Sequence, residues 1–232
     1  FDAVFLADVV GTYDVYGGNR DAALRSAAQT PVNDPMLVIP AMATVTRNLG
    51  FGVTSAMLQY HPYTFARQMS TLDHLTRGRI GWNVVTGYLD SAARAYGLEA
   101  LPEHDQRYEI ADEYASLCYR LWEDSWAEDA VRADRKSGVY TDPSRVRDID
   151  HDGRYFRVHG CHVSEPSPQR TPVLFQAGTS SRGTDFAARH AECVFVIGSK
   201  PHVAGDYARA IREKAVAGGR RGEDIAVFAY MK

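Results

Sequence analysis

Cysteine is scarce: three in 232 residues (Cys118, Cys161 and Cys193), none in C-x-x-C spacing. That excludes a disulfide-stapled scaffold and a paired-cysteine metal knuckle. It fits a reducing compartment, so a cytoplasmic location is expected. No apolar run approaches the roughly 20 residues of a membrane-spanning helix. A surplus of one charge is also lacking. The 26 basic and 29 acidic side chains leave a net charge of −3 and a pI near 6.3. Nothing remains to neutralise a nucleic-acid backbone, so nucleic acid is not an expected partner. Short-period repeats and low-complexity tracts are missing. With 45% apolar and 24% charged residues, the chain is an ordinary globular domain, not a disordered tail. It begins at Phe1 inside a strand-like run, so residues are expected to precede it. No conclusion about a targeting segment follows.

What the sequence does have is alternation of strand and helix periods. Val4–Ala7, Phe51–Ser55, Ile80–Val85, Val173–Ala177, Cys193–Ile197 and Ile225–Tyr230 read as buried strands. Between them, 35–47 reads as a helix capped by Asn33 or Asp34, with Pro35 in its first turn and Leu37, Ala41 and Val45 on one face. Residues 62–75 read as a helix on Phe65, Met69 and Leu72. Residues 105–122 read as the clearest helix, on a stripe of Ile110, Tyr114, Leu117, Cys118 and Leu121. Helices follow at 180–189 and at 200–217, the latter with Val203, Tyr207, Ala210 and Ile211 on one face. Residues 123–171 break the rhythm. They are charged and rich in Gly, Pro and Asp, with Val139-Tyr140 and Tyr155-Phe156 as candidate short strands. This stretch is expected to be a surface insertion within one domain spanning 1–232.

Six strands separated by helices imply a mostly parallel α/β fold. A doubly wound sheet is disfavoured, because the turn after the first strand, Ala7-Asp8-Val9-Val10-Gly11, is no glycine-rich phosphate fingerprint. The preferred fold is a (βα)8 TIM barrel truncated at both ends, with the insertion before the strand at 173–177.

In such a barrel the active site forms at the carboxyl ends of the strands. Those ends carry Asp8 with Tyr13 beyond it, Thr54-Ser55, Asn83 with Thr86 and Tyr88, and the turn Gln176–Gly183. One carboxylate directly at a strand end is poor equipment for two-carboxylate hydrolysis or a carboxylate metal cage. The set suits a large organic ligand with many polar arms. In the turn Ala177–Gly183, a glycine and three hydroxyls open a helix, which suits phosphate, and Arg182 offers a countercharge. A plain N-cap at Ser180 is the competing reading. His104 and Tyr108 share a helix face, though they also read as solvated neighbours of a capping Asp105. His159, Cys161 and His162 match no standard zinc spacing, and no metal site is expected. Cys118 reads as core, and Trp122 and Trp126 read as packing.

Several stretches together resemble the flavin-dependent monooxygenases of the bacterial luciferase superfamily. They are Phe1–Gly11, His61–Tyr63 with Ser70–Leu75, Gly81–Gly87, His104–Tyr108 and Glu165–Pro172. The subgroup is that of nitrilotriacetate and dibenzothiophene sulfone monooxygenases. Tyr13–Tyr16 and Pro31–Pro35 look most like its dimethyl sulfide and long-chain alkane members, and Gln29 agrees. The resemblance implies a luciferase-like barrel, reduced FMN (FMNH2) and O2 as co-substrates, and a separate NAD(P)H-dependent flavin reductase as partner. It also implies a homo-oligomer. The expected chemistry is insertion of one oxygen atom into a small organic substrate through a flavin C4a-peroxide. By position, the resemblance makes Asp8, Thr54, Asn83, His104, Tyr108, Thr179, Ser180 and Ser181 flavin contacts. Ser180 would take the phosphate, and Asp8 and Thr54 would lie near the ring. Tyr13 and Tyr88 are the candidates for the oxygen-transfer site. Tyr88 stands where alkane-oxidising members carry histidine, which opens the substrate to sulfides, sulfones and amines. Flavin- or deazaflavin-dependent hydride transfer on the same barrel, or flavin binding without catalysis, are the alternatives.

Overall fold

The computed structural model describes residues 1–178, 180–197 and 200–230. In chain order the strands are β1 (Ala3–Leu6), β2 (Gly50–Ala56), β3 (Ile80–Val85), β4 (Val131–Asp134), β5 (Val139–Thr141), β6 (Ile149–Asp152), β7 (Arg157–Gly160), β8 (Val173–Gln176), β9 (Cys193–Ile197) and β10 (Ala226–Tyr230). The helices are α1 (Asp21–Ser26), α2 (Pro35–Thr44), α3 (Pro62–Thr76), α4 (Asp90–Ala95), α5 (His104–Tyr119), α6 (Ser181–His190) and α7 (Pro201–Ala217). Six strands form one parallel sheet in the order β1-β2-β3-β8-β9-β10.

The sheet curls. Phe5 on β1 and Phe195 on β9 are four ladder steps apart, which in a flat sheet is roughly 19 Å. Their ring centroids are 4.6 Å apart. Phe175 stacks on Phe195 at 5.8 Å and meets Phe5 at 5.9 Å, so these three rings fill the concave side. Gly81 makes room for them, since a Cβ there would lie 2.6 Å from the Phe175 ring. The sheet is a barrel wall that remains open between β1 and β10, as the truncated-barrel reading expects.

The convex side carries the main core. Trp82 packs on Phe65 at 4.6 Å, on Tyr114 at 5.8 Å and on Trp122 at 6.5 Å, joining β3 to α3, α5 and the π-helical turn Arg120–Asp124. Its indole donates to Ser55 O at 3.1 Å, and the Trp122 indole donates to Ala66 O at 3.0 Å. Cys118 is fully buried there, and burial holds its thiol well above the usual range. At the opposite end of the strands, Arg79 closes the bottom. Its guanidinium donates to Ala43 O, Thr46 O, Thr46 Oγ1, Leu49 O and Thr76 O. One cation thereby satisfies carbonyls left free at the C-terminal ends of α2 and α3.

Between α5 and β8 the chain leaves the barrel and forms two antiparallel ribbons, β4-β5 and β6-β7. Carboxylates tie this segment down. Glu113 on α5 accepts from the backbone N–H groups of Arg154, Tyr155 and Phe156 and from His151 Nε2. Burial opposes its ionisation, but the bonds from His151, Phe156 and Tyr155 outweigh it and hold its carboxyl below the ordinary value. Buried Asp73 on α3 accepts from Gln169 N at 2.7 Å and Gln169 Nε2 at 2.6 Å. His162 packs inside, Nε2 against Ser70 Oγ at 3.0 Å. Burial pushes its pKa down to about 4.

Some expectations need correction. On α2 the residues Leu37, Ala41 and Val45 face solvent, and Met36, Ile39 and Ala43 pack inward. This nearly all-apolar helix has no polar face to orient it, so its sequence does not distinguish the buried side from the exposed one. On α7, Ala210 is exposed and the buried positions are Ala204, Ile211 and Ala215. Tyr155-Phe156 is not a strand. Both N–H groups are taken by Glu113, and the strand starts at Arg157. The short helices α1 and α4 have too few apolar residues to show a period.

Burial of neutral His162 makes stability depend on pH. The folded protein keeps it unprotonated to about pH 4, while an unfolded chain protonates it near 6.5. Acidification below 6.5 therefore favours unfolding. Between pH 7 and pH 5 the expected loss is roughly 2 kcal/mol. Urea unfolding at both pH values should show that loss in the parent protein and a much smaller one in His162→Gln. An equal loss in both would assign the acid sensitivity elsewhere.

Candidate functional site

The end of β1 leads into a loop held by α4. At Gly11, φ is +109°, and a Cβ would lie 2.7 Å from Ala92 N, so the loop presses directly on the helix start. Ser91 Oγ donates to Thr12 O at 2.8 Å, and Arg94 pairs with Asp14 at 2.8 Å. These contacts bring Tyr13 beside Tyr88, their hydroxyls joined by a short hydrogen bond and their rings 6.1 Å apart. Loss of solvent, then the bond to Tyr13, raises the Tyr88 pKa, so its hydroxyl stays a neutral donor. Arg107 Nη1 donates to Gly87 O at 2.7 Å and fixes the loop that carries Tyr88.

Thr54 and Asn83 are cross-strand partners, both buried. Asn83 Nδ2 donates to Thr54 Oγ1 at 2.9 Å. Among the described residues, Asn83 Oδ1 is buried with no partner. A buried acceptor left open costs about 1–3 kcal/mol unless something donates to it.

The third part is the turn after β8. Gln176 Oε1 accepts from Gly178 N at 2.8 Å. Ser180 is the N-cap of α6, its Oγ accepting from Gly183 N at 3.0 Å. Tyr108, buried at the start of α5, reaches in from the side. A Cβ on Gly178 would lie 3.0 Å from its hydroxyl, and one on Gly183 2.8 Å. Arg182 Nε is buried without a partner among the described residues. Ser181 is exposed in the first turn of α6, and Thr179 lies outside the described residues. His104 is exposed at the N-terminus of α5, with Nδ1 2.8 Å from Asp105 Oδ1 and its ring 5.2 Å from that of Tyr108.

Two cavities lie at these strand ends. One, of 90 Å³, is lined by Asp8, Val85, Gly87, Tyr88, Leu89 and Tyr96 among others. The other, of 130 Å³, includes Val85, Gly87, Tyr88, Tyr108, Gln176 and Gly178. They share Val85, Gly87 and Tyr88. Asp8, Tyr88 and Tyr108 thus border one continuous strand-end surface. Thr54, Asn83 and Tyr13 line neither cavity: Thr54 and Asn83 stand two residues before the lining residues Ala56 and Val85, Tyr13 is bonded to Tyr88, and Ser180 opens the adjoining helix. His104, Ser180 and Ser181 line neither cavity. Larger grooves run along α7 and between α2 and α3, the latter reaching Asp34 and Tyr60. His159 and His162 point to different partners, Asp150 and Ser70. Sequence reading missed Gln59 and Tyr96. Gln59 sits in a short turn with no periodicity to mark it. Tyr96 follows α4, and burial with the charges of Asp8 and Asp34 raises its pKa.

A curled parallel sheet with its cavities at the carboxyl ends of the strands defines a barrel domain of the TIM type. The chain belongs, more narrowly, to the luciferase-like monooxygenase family, which it matches over residues 1–232. It is 55% identical over 229 residues to the long-chain alkane monooxygenase of Geobacillus thermodenitrificans (strain NG80-2), covering 99% of this chain and 52% of that protein. It is 54% identical over 231 residues to the dimethyl-sulfide monooxygenase of Hyphomicrobium sulfonivorans, covering 100% and 48%. A solved structure of riboflavin lyase with modified FMN and substrate riboflavin superposes with a TM-score of 0.93 at 45% identity, covering 98% of this chain and 51% of that one. The chain therefore spans about half the length of the curated relatives it matches. Among the described residues no helix is long and apolar enough to cross a membrane.

The glycine cradle predicts a specific coupling. Gly183→Ala places a methyl group against the Tyr108 hydroxyl and should destabilise the protein by about 1–3 kcal/mol. Tyr108→Phe removes that hydroxyl, so the double variant should recover a large part of the loss. Thermal unfolding of the four proteins measures it. Additive losses would mean the two residues do not meet.

Proposed function

We propose that this chain is the flavin-binding barrel portion of an FMNH2-dependent monooxygenase that inserts one atom of O2 into a small organic substrate. The carrying observation is the match between open polar atoms and a flavin nucleotide. The open groups, among the described residues, are the buried Asn83 Oδ1 and the buried Arg182 Nε, neither with a hydrogen-bond partner. Bound FMNH2 would supply the electrons and the site of O2 activation.

The chain's own residues then divide the work. The N-terminus of α6 offers free backbone N–H groups to a phosphate, and Arg182 supplies charge. The Ser180 hydroxyl accepts from Gly183 N and keeps its own proton to donate. Ser181 and Thr179 follow it in sequence at the same helix start. Tyr108, pressed against Gly178 and Gly183, and His104 beside its ring flank that helix start. Thr54 fixes Asn83 so that Oδ1 faces a ligand donor, and Asp8 offers a carboxylate acceptor. Tyr13 and Tyr88 hold each other's hydroxyls at the cavity rim, where Tyr88 donates without changing charge. The apolar walls from Val85 and Leu89 exclude water from the reacting groups. Reduced flavin would arrive from a separate NAD(P)H-dependent reductase, and the substrate class extends over sulfides, sulfones, amines and alkanes.

Turnover with chemically reduced FMN under ¹⁸O₂ should place one labelled atom in the product. Unlabelled product would sink the monooxygenase reading and favour hydride transfer. Tyr88→Phe should lower turnover about 100–1,000-fold with FMN affinity changed less than about threefold, a scale typical of one lost transition-state donor. A matching collapse of FMN affinity would make Tyr88 a binding residue instead.

A further inference from the structure

Gln59 lies in the turn after β2, outside every motif that points to the site. Its side chain makes three hydrogen bonds. Oε1 accepts from Ala56 N at 2.7 Å and from Ser55 Oγ at 2.9 Å, and Nε2 donates to Asp8 Oδ2 at 2.9 Å. The backbone donor settles which end of the amide is oxygen, because an NH2 group cannot accept from Ala56 N. The amino group must then face Asp8. Two strand ends, β1 and β2, are joined through one side chain. Asp8 is the sole carboxylate on the 90 Å³ cavity among the described residues. Its Oδ1 has no hydrogen-bond partner among them.

We infer that Gln59 is a positioning residue, gripping Asp8 by one carboxylate oxygen so that the other is presented to the strand-end cavity as a fixed acceptor. The ligand group it would meet is an N–H or O–H donor. A carboxylate with both oxygens free rotates about its Cβ–Cγ bond and turns towards water. One charge-assisted hydrogen bond removes that freedom before the ligand arrives. This inference rests on the flavin reading for the identity of the ligand, but the Gln59–Asp8 link does not.

Gln59→Glu is the discriminating variant. It keeps the acceptors that brace the turn through Ala56 N and Ser55 Oγ, removes the donor to Asp8, and sets a second carboxylate against the first. Affinity for oxidised FMN, read by quenching of flavin fluorescence, should fall about tenfold or more in Gln59→Glu and in Gln59→Leu. The circular-dichroism spectrum of Gln59→Glu should match that of the parent, so that the lost affinity is not a lost fold. In an Asp8→Asn background, Gln59→Leu should cost little further affinity, because the group it acts through is already altered. A ligand-free measurement runs beside these. The Gln59 side-chain amide signal in a ¹⁵N-correlated NMR spectrum should shift in Asp8→Asn. Normal FMN affinity in Gln59→Glu, or additive losses in the cycle, would overturn the positioning role. An unmoved amide signal would remove the link itself. Absence of FMN binding by the parent protein, with the amide shift present, would sink the flavin reading and leave the Gln59–Asp8 link standing.

Discussion

The pairing register of β2 with β3 is the constraint from which the site follows. Side chains on a strand alternate between faces, so a single register decides both faces at once. With Phe51 opposite Ile80 and Val53 opposite Trp82, the large apolar groups go outward to α3 and α5. The same choice sends Gly52, Thr54, Gly81 and Asn83 inward. A one-residue slip would put the indole of Trp82 into the barrel and Asn83 into the core. The Trp82 bond to Ser55 O locks the register from the packed side, and the Asn83 bond to Thr54 does so from the polar side. Stability and the geometry of the strand ends are therefore specified by one set of hydrogen bonds.

Helix α5 carries that arrangement outward. Its first turns hold His104, Arg107 and Tyr108 at the strand ends. Its middle buries Tyr114 and Cys118 in the core. Its outer face presents Glu109 and Glu113, which receive Arg154, Tyr155 and the neighbouring backbone N–H groups. One rigid element thus connects the cavity wall, the core and the ribbon segment between α5 and β8. Arg79 does a related task at the far end of the sheet, where it ends two helices and stacks over Phe51 at 5.4 Å.

The parallel alternation was legible because buried strands such as Ile80–Val85 are continuous apolar runs, and because α3 and α5 have one polar side. Capping chemistry was legible too: Asp34 and Ser180 cap α2 and α6 through their side chains. The inward face of α2 was not, since Met36 and Leu37 are equally apolar and only α3 decides between them. The loop at Tyr155 was misread because its N–H groups find a carboxylate 42 residues earlier in the chain, a pairing without a local signature. At the site, the residue types at the strand ends were visible, but how they join was not. Asp8 is 51 residues from Gln59, and Tyr13 is 75 from Tyr88. Such contacts exist only once the strands are parallel and the sheet has curled.

The glutamate grip on the ribbon segment bears on how this scaffold can be recombined. Residues 154–156 present backbone amides to Glu113, and a Cβ on Gly153 would collide with that carboxylate. The socket is on the helix and the plug is largely main chain, with the Tyr155 hydroxyl on Glu109 and the Phe156 ring on Tyr114 as its two side-chain anchors. A segment transplanted from a relative would seat here if it brought the glycine and the two aromatic rings and the host kept both glutamates. Sequence drift in the ribbons is thereby uncoupled from the cavity, and variety can accumulate on the rim of the barrel while the strand ends stay in place.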